Sequence, residues 1–287
     1  MPSQTIQWFP GHMAKTRRLI SENLKNVDVV IEILDARIPY SSRNPEIVRL
    51  CSDKPSIILL NKSSLADAEM TQKWACKYSS DNTTCIETDC ISGKGLAQIV
   101  PAINTLCEKK LARYEEKGMA GRSIKAMVLG IPNVGKSSLI NKLSKNKKAK
   151  VENRPGVTLD KQWVTTDIGI LLLDMPGVLW PKFDDASVGE NLAITGAIKD
   201  DILDIETIAA TLCGRLRDRY PELLCERYKL PAIPSRDEID DYDLLGLIGR
   251  KRGFLVSGGE VNMERTANML IDEFRAAKIG RITLDVI

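Results

Sequence analysis

Residues 130–137 read Gly-Ile-Pro-Asn-Val-Gly-Lys-Ser and match the pattern G-x-x-x-x-G-K-[ST] at every fixed position. Residues 125–129 before this motif are apolar except for Lys125 and predict a buried strand, and residues 138–143 after it have a helical pattern. Between a strand and a helix, the glycines of such a loop let backbone N–H groups turn toward phosphate groups, and the helix N-terminus adds partial positive charge. The motif therefore predicts a phosphate-binding loop in an α/β fold with a mostly parallel sheet.

The side chains of this loop have separate predicted roles. Lys136 is expected to bridge the β- and γ-phosphates of a nucleoside triphosphate and to act in catalysis, while the Ser137 hydroxyl binds Mg²⁺. A glycine-rich turn that precedes a helix by chance is the alternative, but it does not account for a match with both flanks. The predicted nucleotide contacts of the loop are Asn133, Val134, Gly135, Lys136, Ser137 and Ser138.

Two segments after the loop predict the metal and switch groups. Asp174-Met175-Pro176-Gly177 ends an apolar strand, where the Asp174 carboxylate would hold Mg²⁺ through water and the Gly177 N–H would sense the γ-phosphate. Thr158, which lies between the two motifs, is the candidate switch threonine for Mg²⁺ and for catalysis. The alternative is an aspartate that merely ends a strand before a Pro-Gly turn.

Two loops that precede the phosphate loop predict recognition of guanine. Residues 59–62 are an apolar strand that ends in Asn-Lys, and residues 91–96 resemble the second base-contacting loop of GTPases. Because GTPases ordinarily place both loops after the phosphate loop, this order predicts a circular permutation, in which the loops still converge at the carboxyl ends of the strands. Together they favour a GTPase over an ATPase. The predicted base contacts are Asn61, Lys62, Ser63, Ser64, Ser92 and Gly93.

The guanine-reading loop departs from its usual form at the fourth position. In an Asn-Lys-x-Asp loop the aspartate accepts two hydrogen bonds from guanine, whereas this chain has Ser64. A serine cannot supply a bidentate acceptor, and each lost charge-assisted hydrogen bond costs about 1.5–3 kcal/mol. Asp67 is assigned to the start of the following helix. We therefore predict a weaker guanine preference than usual, with a rearranged contact to the base.

Apolar runs alternate with helical patterns over the first two-thirds of the chain, and the remainder is helical. We predict a circularly permuted, P-loop NTPase-type domain with a mostly parallel sheet over residues 1–182, and a smaller all-α domain over residues 183–287. The predicted strands are 27–34, 56–60 and 125–129, with an edge hairpin of 162–166 and 170–174; helical patterns lie around 13–25, 67–79 and 96–115.

The order of the motifs resembles that of the circularly permuted ribosome biogenesis GTPase A family (YlqF-like), over nearly the whole chain. The resemblance implies a cytoplasmic GTPase that uses GTP, GDP and Mg²⁺ and helps late maturation of the large ribosomal subunit in contact with ribosomal RNA. The residues that carry it are 8–15 (Trp-Phe-Pro-Gly-His-Met-Ala-Lys), Asp35-Ala36-Arg37-Ile38-Pro39, Asn61-Lys62, the phosphate loop, 155–158 (Pro-Gly-Val-Thr), Asp174-Met175-Pro176-Gly177, Gly258-Gly259-Glu260 and Gly280-Arg281-Ile282-Thr283.

The resemblance also implies how hydrolysis is catalysed. Val178 follows Gly177, where Ras-type GTPases carry a glutamine that positions water, and an aliphatic side chain cannot do this. In proteins resembling this one His12 is the proposed catalytic group; the alternative is an exposed histidine at a helix start. Asn133 matches a K⁺ ligand of potassium-dependent GTPases, or else serves turn geometry only. Hydrolysis is expected to be slow alone and raised by a ribosomal partner that fixes His12.

Composition limits the remaining functions. Seven cysteines without a C-x-x-C pair and a single histidine leave little metal-ligand chemistry, and they predict reduced thiols in a cytoplasmic protein. No apolar run is long enough to cross a bilayer. The net charge of +3 is uninformative, but three local basic clusters in a phosphate-binding protein predict contacts with RNA phosphates; the alternative is that they are solvated surface. A monomer is expected. The clusters are Lys15, Arg17 and Arg18; Lys142, Lys145, Lys147, Lys148, Lys150 and Arg154; and Arg250, Lys251 and Arg252.

A binding module in which the nucleotide is only a ligand, within an RNA or protein scaffold, is the main alternative to an enzyme. Ser64 and Val178 favour this alternative, whereas the intact Lys136, Ser137 and Asp174 favour hydrolysis. A metabolic P-loop kinase would need a phosphoacceptor pocket in the helical region, and nothing in the sequence predicts one.

Overall fold

The computed structural model describes residues 10–119, 121–144, 162–166, 168–177, 179–180, 183 and 185–287, and only the backbone of residues 10–13 and 162. Its strands are β1 (Val29–Asp35), β2 (Ser56–Asn61), β3 (Thr83–Glu87), β4 (Ile124–Gly130), β5 (Gln162–Thr165) and β6 (Ile170–Asp174). Its helices are α1 (Pro10–Leu24), α2 (Pro45–Cys51), α3 (Ala68–Tyr78), α4 (Ile99–Leu106), α5 (Glu108–Glu116), α6 (Lys136–Leu143), α7 (Ala186–Ile194), α8 (Ile205–Arg219), α9 (Pro221–Tyr228), α10 (Asp241–Lys251) and α11 (Met263–Arg275).

The described strands form one sheet in the order β3-β2-β1-β4-β6-β5. Every neighbouring pair is parallel except β5 with β6, which is antiparallel. Strands β1 and β2 are mostly apolar and are buried along nearly their whole length, as is usual for parallel strands covered on both faces. The structure therefore confirms the predicted fold class, with its edge hairpin of β5 and β6.

The pairing of β1 explains how motifs from a permuted chain meet. This first strand pairs with both β2 and β4, so the strands that precede the phosphate loop extend the sheet on one side of it. In the register, Asp35 lies opposite Asn61, Ile33 lies opposite Gly130, and Val128 lies opposite Asp174. The carboxyl ends of β1, β2, β4 and β6 thus share one edge of the sheet, which is where ligands bind in such folds.

Two short elements are not predicted by the sequence pattern. In β3 only Ile86 is fully buried, so the strand lacks the apolar run that marks β1 and β2. Helix α2 has seven residues, too few for a clear periodicity, and begins with Pro45 behind an Asn44 cap. Asp67 accepts a hydrogen bond from the Met70 N–H at 3.1 Å and caps α3, as predicted.

Helices α7, α9, α10 and α11 all pack against α8. The apolar cluster inside this helical part is continuous with the cluster on one face of the sheet. The end of the chain returns to the loops at the sheet edge, where the Ile282 N–H donates to the Leu65 carbonyl at 3.2 Å and the Leu284 N–H to the Arg37 carbonyl at 2.7 Å. None of the described helices is long and apolar enough to span a membrane.

Candidate nucleotide-binding site

The phosphate loop connects the end of β4 to the start of α6. Gly135, directly before the helix, has a φ of +107°, a region that favours glycine. A Cβ at this position would lie 2.3 Å from Nδ2 of Asn61. Glycine is therefore required both for the conformation of the loop and for the close approach of the Asn61 side chain.

Lys136 lies at the first position of α6 with its ammonium group turned into the loop. Its Nζ donates to the carbonyl oxygens of Gly130 and Ile131, both at 2.9 Å. Burial lowers the pKa of Lys136 to about 8, although the charge of Asp174 opposes this shift. A Cβ on Gly177 would lie 2.5 Å from Nζ, so the backbone after β6 contacts the same ammonium group. Phosphate oxygens at this position would gain a cation that is already desolvated and oriented.

Asp174 ends β6 and is buried beside the loop. Burial raises the pKa of Asp174 to about 6, while the positive charge of Lys136 acts in the opposite direction. Its Oδ1 is buried and accepts no hydrogen bond within the described part of the chain. A buried carboxylate oxygen without a donor fits a hard cation, because Mg²⁺ takes oxygen ligands.

The described residues contain no group of three or more His, Cys, Asp or Glu side chains that could hold a metal ion. Mg²⁺ commonly binds through one or two protein ligands and completes its shell with water and phosphate oxygens. A single carboxylate from Asp174 and the hydroxyl of Ser137, at the second position of α6, match that pattern. The arrangement therefore fits a metal that arrives with a nucleotide rather than one held by the protein alone.

Asn61 connects three strand ends at this edge of the sheet. Its Nδ2 donates to the Val134 carbonyl of the phosphate loop at 2.8 Å, and its Oδ1 accepts from the Cys90 N–H at 2.9 Å. The side chain is almost completely buried, so both hydrogen bonds are shielded from water. Asn61 thereby fixes the distance between the two base loops and the phosphate loop.

A buried ionic cluster lies beneath the base loop. Arg37 binds Asp35 with both arms of its guanidinium, Nε to Oδ1 at 2.9 Å and Nη2 to Oδ2 at 2.7 Å, and Lys62 Nζ adds a contact to Oδ2 at 2.9 Å. Although burial alone would raise it, the charges of Arg37 and Lys62 hold the pKa of Asp35 well below its usual range. Asp35 and Arg37 belong to a motif that the sequence analysis noted without a role. The signal was present as two charges directly after a buried strand.

One cavity of about 880 Å³ extends from the two base loops to the phosphate loop. Four predicted phosphate and metal residues, Lys136, Ser137, Asp174 and Gly177, are not among the residues that line it. Asn61, Lys62 and Ser64 line it on the side of the base loop, and Asn133, Gly135 and Ser138 on the side of the phosphate loop. At the second base loop the lining residues are Asp89, Cys90 and Ile91, which precede the predicted Ser92 and Gly93. Ser63 and Val134 are also buried but do not line the cavity. The size suits a nucleotide, since ligand sites commonly measure about 300–1,000 Å³.

The helical part forms a wall of this cavity that sequence reasoning does not predict. Residues 195, 196 and 198–201 line it, together with Arg275 of α11. The Asn133 Nδ2 donates to the Gly196 carbonyl at 2.7 Å, and Arg275 binds the Asp200 carboxylate at 2.7 and 2.8 Å. Asn133 also has a φ of +58°, so it has a structural role in the turn, and its role as a K⁺ ligand stays a prediction.

The predicted switch threonine Thr158 and the predicted catalytic His12 are the positions on which the structure says least. Thr158 and Val178 lie outside the described residues, and so do most residues of the basic cluster 142–154. His12 lies in the first turn of α1, where the backbone alone is described. Their predicted roles are therefore carried forward as proposals.

Comparisons with known proteins agree with a nucleotide site of this kind. A family profile described as "50S ribosome-binding GTPase" matches residues 125–212. A protein of Priestia megaterium named "Ribosome biogenesis GTPase A" is 48% identical over 282 residues, covering 98% of this chain and 96% of that protein. A protein of the same name from Bacillus pumilus is 45% identical to this chain over 281 residues, covering 98% of both chains.

A solved structure shows the same fold. The GNP-bound structure of YlqF from T. maritima superimposes with a TM-score of 0.62 at 24% sequence identity. The superposition covers 94% of this chain and 97% of that one. The shared fold therefore includes the helical part as well as the sheet.

Proposed function

This chain belongs to the ribosome biogenesis GTPase A family and is a GTP-hydrolysing enzyme, and from this we propose its cellular role. The enzyme acts as a cytoplasmic monomer in the late maturation of the large ribosomal subunit. It binds the subunit precursor through ribosomal RNA, and the bound nucleotide controls that binding. The names of its relatives, which refer to ribosome biogenesis and to 50S ribosome binding, support this assignment.

The observation that carries the proposal is the shared cavity. Asn133 of the phosphate loop contacts Gly196 of the helical part, and Arg275 closes the same side. A change at the γ-phosphate can therefore act on the helical domain over residues 183–287 as well as on the domain over residues 1–182. Exposed basic side chains on both parts, including Arg17 and Lys251, are available to RNA phosphates.

The roles proposed for the site follow its chemistry. Lys136 would hold the β- and γ-phosphates, and Ser137, Thr158 and Asp174 would hold Mg²⁺. The metal ion would neutralise charge on the transferred phosphoryl group. Asn61, Lys62, Ser63 and Ser64 form the base side, and the Gly177 N–H contacts the γ-phosphate. K⁺ at Asn133 would add positive charge in the same region.

Replacement of His12 by alanine tests the partner-dependent part of the proposal. We expect large ribosomal subunits to raise phosphate release from GTP by the wild-type enzyme, and the variant to lose about 10²-fold of the stimulated rate, which is the usual contribution of a positioned acid–base group. GTP affinity should change less than twofold, because His12 is not proposed to hold the nucleotide. Phosphate release with and without subunits measures both.

The outcome separates two parts of the proposal. Equal stimulation of the wild type and the His12→Ala variant would remove His12 from catalysis but leave the ribosomal role in place. Absence of stimulation in the wild type, together with no salt-sensitive binding to subunits, would contradict the ribosomal role itself.

The titration of Asp174 predicts a pH dependence of Mg²⁺–nucleotide binding. Since the pKa of Asp174 is about 6, the carboxyl group is mostly protonated at pH 5 and mostly ionised at pH 7. Metal binding requires the ionised carboxylate, so below pH 6 the incoming Mg²⁺ must displace a proton from Asp174. We expect Mg²⁺–GDP to bind about tenfold more weakly at pH 5 than at pH 7. Calorimetric titration at several pH values measures this dependence.

The Asp174→Asn variant is the control, because it shares any protonation of the nucleotide phosphates. Its affinity should be lower at pH 7 and should vary less with pH than that of the wild type. The same pH slope in both proteins would show that Asp174 is not the titrating group.

A further inference from the structure

The base loop lacks the carboxylate that guanine recognition needs. Guanine presents two neighbouring donors, the N1–H and the 2-amino group, and a neutral serine at position 64 cannot accept from both with charge-assisted bonds. In the structure the Ser64 hydroxyl donates to Oδ2 of Asp89, which follows β3 on the neighbouring loop. Both residues line the cavity described above. A carboxylate is thus present beside position 64, although it comes from another part of the chain.

The backbone around Asp89 holds this carboxylate in place. The Asp89 N–H donates to the Lys94 carbonyl at 3.0 Å, and its own carbonyl accepts from the Gly93 N–H at 2.7 Å. Its Oδ1 accepts from the N–H groups of Ile91 at 2.9 Å and Ser92 at 3.0 Å. The residue is only 4% exposed. The carboxylate is therefore pre-organised, which limits the entropy lost when a ligand binds to it.

The charge of Asp89 is maintained in this environment. Burial alone would raise the pKa of Asp89, but the hydrogen bonds from Ser64, Ser92 and Ile91 hold it below its usual value. With two N–H groups on Oδ1 and one hydroxyl on Oδ2, the carboxylate keeps an acceptor site on Oδ2. The hydroxyl hydrogen of Ser64 is engaged with Asp89, so its oxygen is left to accept hydrogen bonds from a ligand. Oδ2 of Asp89 and Oγ of Ser64 then form a neighbouring pair of acceptors.

We propose that Asp89, hydrogen-bonded to Ser64, is the specificity-determining carboxylate that reads the N1–H and 2-amino edge of guanine. One donor of the base binds Oδ2 of Asp89, and the other binds Oγ of Ser64. Adenine is rejected because its N1 presents a lone pair to this pair of acceptors. The assignment rests on the proposed nucleotide site and accounts for the serine at position 64 without a loss of guanine preference.

The wild-type protein gives the first test. Inosine diphosphate differs from GDP only by the missing 2-amino group. A carboxylate-assisted pair of acceptors should therefore make GDP bind about tenfold or more tightly than inosine diphosphate, measured by calorimetry. Equal affinities would overturn the proposal, while the proposed nucleotide site would stand. No binding of GDP or GTP by folded wild-type protein would contradict the nucleotide site itself.

The Asp89→Asn variant gives the second test. It should lose most of the preference for GDP over inosine diphosphate and gain affinity for xanthosine diphosphate relative to GDP, because an amide can donate to the xanthine 2-oxygen. Adding Ser64→Asp to this variant returns a carboxylate to the base loop and should restore the GDP preference. If Asp89 only supported the fold of the loop, all three affinities would fall by the same factor.

Glu87→Gln is the matched control, since it makes the same acid-to-amide change two residues earlier. Glu87 ends β3, and its Oε2 lies 3.8 Å from Nζ of Lys94. Its substitution should leave the ratio of GDP to inosine diphosphate affinity within twofold of the wild-type ratio. An equal loss of preference in both variants would contradict a specific role for Asp89.

Discussion

Replacing Arg37 with methionine is expected to lower the free energy of unfolding by about 3–5 kcal/mol, because removal of one partner leaves a buried charge uncompensated. Arg37 is 2% exposed and binds Asp35 through two hydrogen bonds of 2.7 and 2.9 Å. Lys62 contacts the same carboxylate at 2.9 Å but cannot replace the paired geometry of a guanidinium. The remaining carboxylate would be only partly neutralised.

The effect of this substitution extends beyond one ion pair. The Arg37 guanidinium lies 5.5 Å from the ring centroid of Phe274 in α11, and methionine would lose this cation–π contact. Arg37 therefore also connects the sheet edge to the helical part. We expect the variant to lose affinity for nucleotide as well as stability, because Lys62 and Arg37 both line the cavity.

Urea denaturation, followed by circular dichroism, measures the change. Arg18→Met is the matched control, since Arg18 pairs with Glu22 on the surface of α1 and its side chain is 81% exposed. Solvent screens such a pair, so the control should unfold at nearly the wild-type urea concentration. Equal midpoints for Arg37→Met and the wild type would contradict the assigned role of the buried cluster.

The fold was largely predictable because its strongest signals are local. Strands β1, β2 and β4 are mostly apolar and buried along nearly their whole length, which marks strands covered on both faces. The convergence of permuted motifs followed from a general rule about the carboxyl ends of strands. β3 was missed because burial along it is mostly partial, so its periodicity carries little information.

The site was predictable only where one segment determines its own geometry. Lys136 and its loop are defined by eight consecutive residues. By contrast, the contact of Ser64 with Asp89 joins positions 25 residues apart, and that of Asn133 with Gly196 joins positions 63 apart. No local pattern encodes such contacts, since they depend on how the strands and helices pack. The sequence could show that a carboxylate was missing at position 64 but not that Asp89 lies beside it.

Replacing Lys136 with methionine is expected to reduce GTP turnover by about 10²–10³-fold, the usual cost of removing one pre-organised charge donor. Its Nζ is buried among the loop carbonyls, and burial has already lowered the pKa of Lys136 to about 8. The cost of desolvating this ammonium group has therefore been met in the folded protein before nucleotide binds. A phosphoryl group that gains negative charge would interact strongly with it.

Turnover is compared under conditions in which urea denaturation shows the Lys136→Met variant to be fully folded. This is needed because the substitution leaves the carbonyls of Gly130 and Ile131 without their donor and buried Asp174 without its neighbouring cation. Lys142→Met, on the exposed face of the same helix, is the control and should keep both turnover and stability. Single-turnover phosphate release at saturating GTP separates chemistry from binding. A Lys136→Met enzyme that hydrolyses GTP at the wild-type rate would show that the phosphate loop binds nucleotide without contributing to its hydrolysis.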